Sequence, residues 1–183
     1  MPYGAVGVST DQQPTEYAQY TIQDDIVLPE GFTYDVIASW GDPVGDSRFG
    51  YNNDYLSFVA TGADEGYLTV NFEYISSKVW AQTYSQVTGK TLPFEEVAAA
   101  LRQLKDEKVD AFSLPAGQTL KSQIQQISKE ALTDQGLGVI FIRRDTQGQW
   151  MRVPSERDRR VSGISGLEDG RCLKTTGPAP GVF

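Results

Sequence analysis

GYLTVNFEYI, residues 66–75, decides the fold class. Leu68, Val70, Phe72 and Tyr74 fall on one side of an extended chain, and Thr69, Asn71 and Glu73 on the other, a period of two that marks a half-buried strand. Ahead of it, the TGADEG turn joins it to a shorter β-type run, Tyr55 to Ala60. Further upstream Phe32, Tyr34, Val36, Ala38 and Trp40 alternate with polar residues, which predicts another strand entered through Leu28-Pro29-Glu30-Gly31. Downstream, Val139 to Ile142 and Trp150 to Val153 flank Asp145-Thr-Gln-Gly148, which reads as a hairpin loop with glycine at the left-handed position.

The middle of the chain has a different period. In PFEEVAAALRQLKDEK, Phe94, Val97, Leu101 and Leu104 recur at three- and four-residue steps after Thr91, a cap candidate. A second amphipathic helix fits Thr119 to Leu132, with Leu120, Ile124, Ile127 and Ala131 on its apolar stripe and Gly136 placed to end it. Residues 92–133 therefore read as a helical hairpin inserted between strands. The expected class is mainly β with a helical hairpin insertion. Residues 1–25, polar and aperiodic, read as an arm, and 26–183 as one domain. The strand candidates and the Gly-rich, apolar end leave open edges, the mark of a part of something larger.

Composition removes whole classes of chemistry. The 183 residues contain no histidine, so Ser-His-Asp and Cys-His nucleophiles, His-ligated zinc and an imidazole base are excluded. The single cysteine, Cys172, cannot form an internal disulfide and has no second soft ligand for zinc. A net charge of −8 opposes phosphate tracking, so nucleic-acid binding is not expected. There is no P-loop and no strand-borne GxGxxG. No membrane span is expected, because no run approaches the roughly 18 apolar residues required. The first residues, MPYGAVGVST, carry no export signal, so the chain as written is expected to stay in the cytoplasm.

What remains is oxygen and arginine chemistry. Asp42, Asp46, Asn52, Asn53 and Asp54 are hard-cation ligand types, but they lack the spacing of a helix-loop-helix calcium site and suit a self-capping loop. Glu73 is the stronger metal candidate, since a strand fixes its direction and Asn71 shares its face; the alternative is an exposed sheet carboxylate. Arg48 could hold an anion or pair with Asp42 or Asp46. Charge divides near residue 142: 8 basic against 19 acidic residues before it, 8 against 5 after it. Arg143, Arg144, Arg152, Arg157, Arg159 and Arg160 cause the shift, as a solvated or ion-paired rim or as an anion-facing or partner-facing surface.

The runs DDIVLPEGFTYDVIASWGDPVGDSRFGYNNDYLSF, EGYLTVNFEYIS, DQGLGVIFIRRDTQGQW, SERDRRVSGISGLEDG and TTGPAPG resemble, in that order, the N-terminal part of PhoX-type alkaline phosphatases, especially the cyanobacterial branch. The resemblance covers the chain from about Asp24 onward. It implies the N-terminal segment of a β-propeller, incomplete without a C-terminal part. It also implies hydrolysis of phosphate monoesters with Ca2+ and Fe3+ and a periplasmic or extracellular location. Metal ions would act as Lewis acids, which suits a chain without histidine. Glu73 matches the glutamate of the family's NxEY motif and is implied as a calcium ligand, while Phe72 stands where many relatives have histidine. The family's iron-ligating cysteine follows the TGPA segment, so Cys172, which precedes it, does not match. The isolated chain is then expected to be inactive. The alternative is a non-enzymatic truncated propeller module that binds calcium or a protein partner.

Overall fold

A computed structural model of the chain describes Ile26 and residues 28–167. The arm at 1–25, Cys172 and the TTGPAPG segment lie outside the described residues. The chain divides into two units at Asp35/Val36. Of the first, the described part is a turn in which the Phe32 N–H donates to the Pro29 carbonyl at 3.1 Å, with Phe32 and Tyr34 exposed.

The second unit holds the secondary structure. Strands β1 (Pro43–Val44) and β2 (Ser47–Arg48) form a small hairpin through Gly45. Strands β3 (Asn53–Gly62), β4 (Glu65–Phe72), β5 (Gly136–Arg144) and β6 (Trp150–Arg152) then pair in that order, all antiparallel, and β7 (Arg159–Ser162) also pairs with β5. Between β4 and β5 lie helices α1 (Ser77–Thr88), α2 (Phe94–Leu101) and α3 (Thr119–Asp134). This is a β-rich domain with a helical excursion; among the described residues the sheet is open and no closed ring of sheets is formed.

Alternation in β4 settles which side of the sheet is core. Gly66, Val70 and Phe72 are buried with half-buried Leu68, and they meet the buried Ile140 and Ile142 of β5. Val44 and Phe49 from the small hairpin cover this face, and Phe49 stands edge-on to Phe72 at 4.8 Å. Gly66 is required where the core face meets β3: a Cβ would sit 2.5 Å from Phe58 Cζ. The helices close over a second aromatic cluster of Trp80, Tyr84 and Leu92, with Phe94 edge-on to Trp80 at 5.7 Å and Ile127 and Ala131 packed against it.

Several expectations are corrected. Residues 32–39 form no strand, because none of the described strands supplies the ladder that their alternation needs. Tyr74 lies beyond the end of β4 and is exposed rather than core. The loop DPVGDSRFGYNND contains the β1–β2 hairpin, its reversal made possible by Gly45 at φ 59°. Helix α1 lies outside the segment predicted to be helical: its valines and aromatics have weak helix propensity, yet Trp80 and Tyr84, one turn apart, bury one stripe. Gly89, left-handed at φ 69°, ends it by donating to the Ser85 carbonyl at 3.0 Å.

The helical excursion thus begins well before residue 92. Helix α2 stops at Leu101, and Lys105–Glu107 forms a 3-10 turn with Asp106 at φ 65°, so Leu104 is exposed rather than packed. Pro93, not Thr91, precedes α2, and Gly136 opens β5 instead of capping α3. The pairing of α2 with α3 is as expected.

The glycine of FGYNND has a packing reason. A Cβ on buried Gly50 would lie 2.5 Å from Phe72 Cγ and press on the Asp134 carbonyl oxygen. We expect Gly50→Ala to cost about 1–3 kcal/mol of unfolding free energy, as overpacked cores do. Urea denaturation of the purified chain measures it, and an unchanged midpoint would show that this loop yields without strain.

Candidate functional site

Two motifs that lie apart in sequence meet at the open end of β4. Asn53 of β3 pairs with Phe72, and just beyond the ladder the Glu73 N–H donates to the Asn52 carbonyl at 3.1 Å. From the other side Gln135 Nε2 donates to the Glu73 carbonyl at 2.8 Å. The backbone of Glu73 is therefore held from both sides while its side chain is exposed. Asn52 adopts φ 58° and its amide nitrogen is enclosed without a hydrogen-bond partner. Asn71 is half-buried on β4. The structure thus brings Asn52 to Glu73. Of the other loop candidates, Asp42 accepts from the Ser39 N–H at 2.8 Å, the self-capping role.

Among the described residues no group of three acidic or cysteine side chains could hold a metal ion. Glu73 is a single carboxylate beside amide groups. Calcium takes six to eight oxygens, so these residues fit part of a shell and not a complete one.

The densest electrostatics lie elsewhere. Arg48 is not paired with Asp42 or Asp46. Its Nε donates to Asp134 Oδ1 at 2.6 Å, and its Nη2 meets Glu130 Oε2 at 2.9 Å. The reason is position: β2 aims the guanidinium at the end of α3, where Asp134 has no solvent exposure. Asp134 Oδ2 accepts from the Trp80 indole at 2.7 Å, and Glu130 Oε2 accepts from the Tyr84 hydroxyl at 2.5 Å. Lys90 reaches Glu130 Oε1 at 3.4 Å.

Burial alone would depress the Arg48 pKa, but Asp134 and Glu130 hold it above the ordinary arginine range. Burial, helped by the bond to Glu130, pushes the Tyr84 phenol up to about 12. Burial would raise the Glu130 carboxyl, but hydrogen bonds from Tyr84 and Arg48, with the charges of Arg48 and Lys90, hold it below its usual value.

Arg160 behaves differently. Its Cζ lies 4.4 Å over the Phe72 ring, and the guanidinium donates to backbone carbonyls of Arg48, Thr133, Gln135, Leu137 and Val161. Burial draws it down to about 10. Arg48 and Arg160 are thus spent on cohesion. The sequence hinted at these partners only through the i, i+4 pair Glu130 and Asp134 on α3. In the basic part of the chain Arg143 pairs with Glu65 at 2.8 Å, Arg144 with Asp64 at 3.8 Å, and Arg152 with buried Asp158 at 3.1 Å.

An antiparallel sheet with a helical excursion, a buried ion network and an exposed carboxylate at the end of β4 defines a β-rich domain. Sequence comparison supplies the family. The model for alkaline phosphatase PhoX matches residues 2–182, and the chain belongs to that family. The structure of Pseudomonas fluorescens PhoX in complex with vanadate, a transition state analogue, is similar at 22% identity and a TM-score of 0.43. The similarity covers 74% of this chain and 21% of that one, so this chain spans about a fifth of the solved protein's length. No curated protein matches it. No helix among the described residues is long and apolar enough to cross a membrane.

The network generates two expectations. Asp134→Asn leaves Arg48 without its closest counter-charge and should cost about 3–5 kcal/mol, the range for a broken buried pair, read as a lower urea midpoint. The pH dependence has opposite signs at the two other groups. Tyr84, raised when folded, contributes stability that is complete below the ordinary tyrosine range and lost as pH climbs toward about 12. Glu130, lowered when folded, contributes stability that is present above the ordinary carboxylate range and lost as pH falls through its depressed value. Glu130→Gln should therefore be less stable than the parent at neutral pH, with the difference vanishing in acid; a pH-independent difference would exclude the titration.

Proposed function

We propose that this chain is the N-terminal part of a PhoX-type metal-dependent phosphatase that hydrolyses phosphate monoesters, and that its contribution to the active centre is Glu73. The family match over residues 2–182 carries the reading. The order of the WGDP, FGYNND, NFEY and TGPAPG motifs favours the cyanobacterial branch. The open sheet supports a larger assembly. All ten residues of β3 are exposed, Tyr55, Leu56, Phe58 and Val59 among them, on a strand that pairs with β4 alone among the described strands. An edge of that length needs covering. In a β-propeller the remaining chain would cover it.

Glu73 would serve as one oxygen ligand of a hard cation. Its backbone is fixed by Asn52 and Gln135, so placing the carboxylate costs little ordering. Calcium suits a carboxylate with amide neighbours better than iron does, and Fe3+ would be held by residues outside this chain. When bound, the cations would neutralise charge developing on phosphate. This chain's own part is to hold Glu73 rigidly at the sheet rim. A periplasmic or extracellular location would accompany this function.

Two measurements test the reading. The 183-residue chain alone should not turn over p-nitrophenyl phosphate above background with Ca2+ and Fe3+ supplied, since its ligand set is partial. In a protein carrying the complementary C-terminal part, Glu73→Gln should weaken calcium binding and lower the rate at limiting calcium, with partial rescue by excess. Glu96→Gln, on the exposed side of α2, should change neither. Unaltered calcium affinity in Glu73→Gln would leave Glu73 an ordinary rim carboxylate.

A further inference from the structure

The face of the sheet opposite the core holds a recess of about 260 Å³ lined by Thr61, Glu65, Tyr67, Phe141, Ser155 and Arg157. It lies at the Glu65 end of β4, the opposite end from Glu73. Tyr67 and Phe141 are register partners, and their rings, 5.2 Å apart and tilted by 57°, give it an aromatic wall.

Arg157 is set beside this wall by a braced turn. The Asp158 N–H donates to the Ser155 carbonyl at 2.9 Å, and the Arg157 N–H donates to Ser155 Oγ at 3.1 Å. Buried Asp158 fastens the turn to the sheet by accepting from the Phe141 N–H at 3.0 Å and from Arg152 at 3.1 Å. Yet the Arg157 guanidinium has neither an ion pair nor a hydrogen bond among the described residues, unlike Arg48, Arg143, Arg152 and Arg160.

The one carboxylate in the recess is already neutralised. Glu65 Oε2 accepts from Arg143 Nε at 3.0 Å and Nη2 at 2.8 Å, and Arg143 Cζ lies 5.6 Å from the Phe141 ring centre. With Glu65 paired, the remaining polar groups are the Arg157 fork and the hydroxyls of Thr61, Ser155 and Tyr67. A guanidinium fork takes a carboxylate or phosphate bidentately, hydroxyls donate to its remaining oxygens, and the aromatic wall accepts a flat apolar body. The volume lies just under the range of drug-sized pockets, which suits a small ligand.

We propose that this recess binds a small organic anion with a planar apolar body, its carboxylate or phosphate on Arg157 and its ring on Tyr67 and Phe141. The site does not depend on Glu73 or on phosphatase activity.

Phenyl phosphate, benzoate, inorganic phosphate and phenol, each titrated into the 183-residue chain by calorimetry, form the test. The two aryl anions should bind, with inorganic phosphate and phenol weaker by about ten-fold or more, the loss expected when a ring contact or a charged hydrogen bond is removed. Arg157→Gln, on an exposed side chain, should weaken phenyl phosphate by about ten-fold or more with an unchanged urea midpoint. Tyr67→Phe should weaken it less. Glu73→Gln should leave it unchanged, which separates this site from the proposed metal ligand. Absence of binding, affinity that survives Arg157→Gln, inorganic phosphate binding as well as phenyl phosphate, or loss of the aryl anions in Glu73→Gln would each overturn the proposal.

Discussion

Asp134 is the fixed point of the described structure. It ends α3 with its carboxylate removed from water, and such a group persists only when its charge and lone pairs are matched. Arg48 from β2 and the Trp80 indole from α1 take one oxygen each, and the Asp134 backbone carbonyl accepts from the Tyr51 N–H at 3.0 Å. One residue thereby ties the small hairpin, the first helix and the FGYNND segment to the end of α3. Glu130, one turn earlier, extends the tie to Tyr84 and Lys90.

That tie also positions the candidate metal ligand. Gly50 lies against the Asp134 carbonyl and Phe72, and Tyr51 is bonded to that carbonyl. Asn52, the next residue, then accepts from the Glu73 N–H. The placement of Glu73 is thus inherited from the core through three consecutive residues. Arg160, stacked on Phe72 and bonded to five carbonyls, secures the same corner from β7. A substitution at Asp134 can therefore disturb the sheet rim without touching a ligand.

Membership in the PhoX family gives these features their setting, in a chain that spans about a fifth of the solved Pseudomonas protein. Of the two readings of the basic part of the chain, the ion-paired rim describes Arg143, Arg144 and Arg152. Arg48 and Arg152 neutralise buried carboxylates, and Arg160 satisfies backbone carbonyls at the junction of α3, β5 and β7.

The sequence by itself located four of the five strands of the main sheet, while β7 and the order of pairing came from the tertiary structure. The period-two pattern of residues 66–75, the β-type runs at 55–60, 139–142 and 150–153 and the DTQG turn each overlap an observed strand or hairpin, although the first ends at Phe72 and the last at Arg152, because alternation and turn chemistry act between near neighbours. The same local rule failed at residues 32–40, which form no strand among the described residues, and it missed α1, whose helical state comes from burying Trp80 and Tyr84 rather than from propensity. The family could be read from motif order, since order survives without coordinates. Only tertiary structure decided that Arg48 pairs with Asp134, 86 residues away, and not with its sequence neighbours, and that Asn52 meets Glu73. Nor does local periodicity predict a recess that joins Thr61, Tyr67, Phe141 and Arg157. These contacts link residues through strand register and helix docking, and burial fixes the partner of a charge by the geometry of the completed core, not by its distance along the chain.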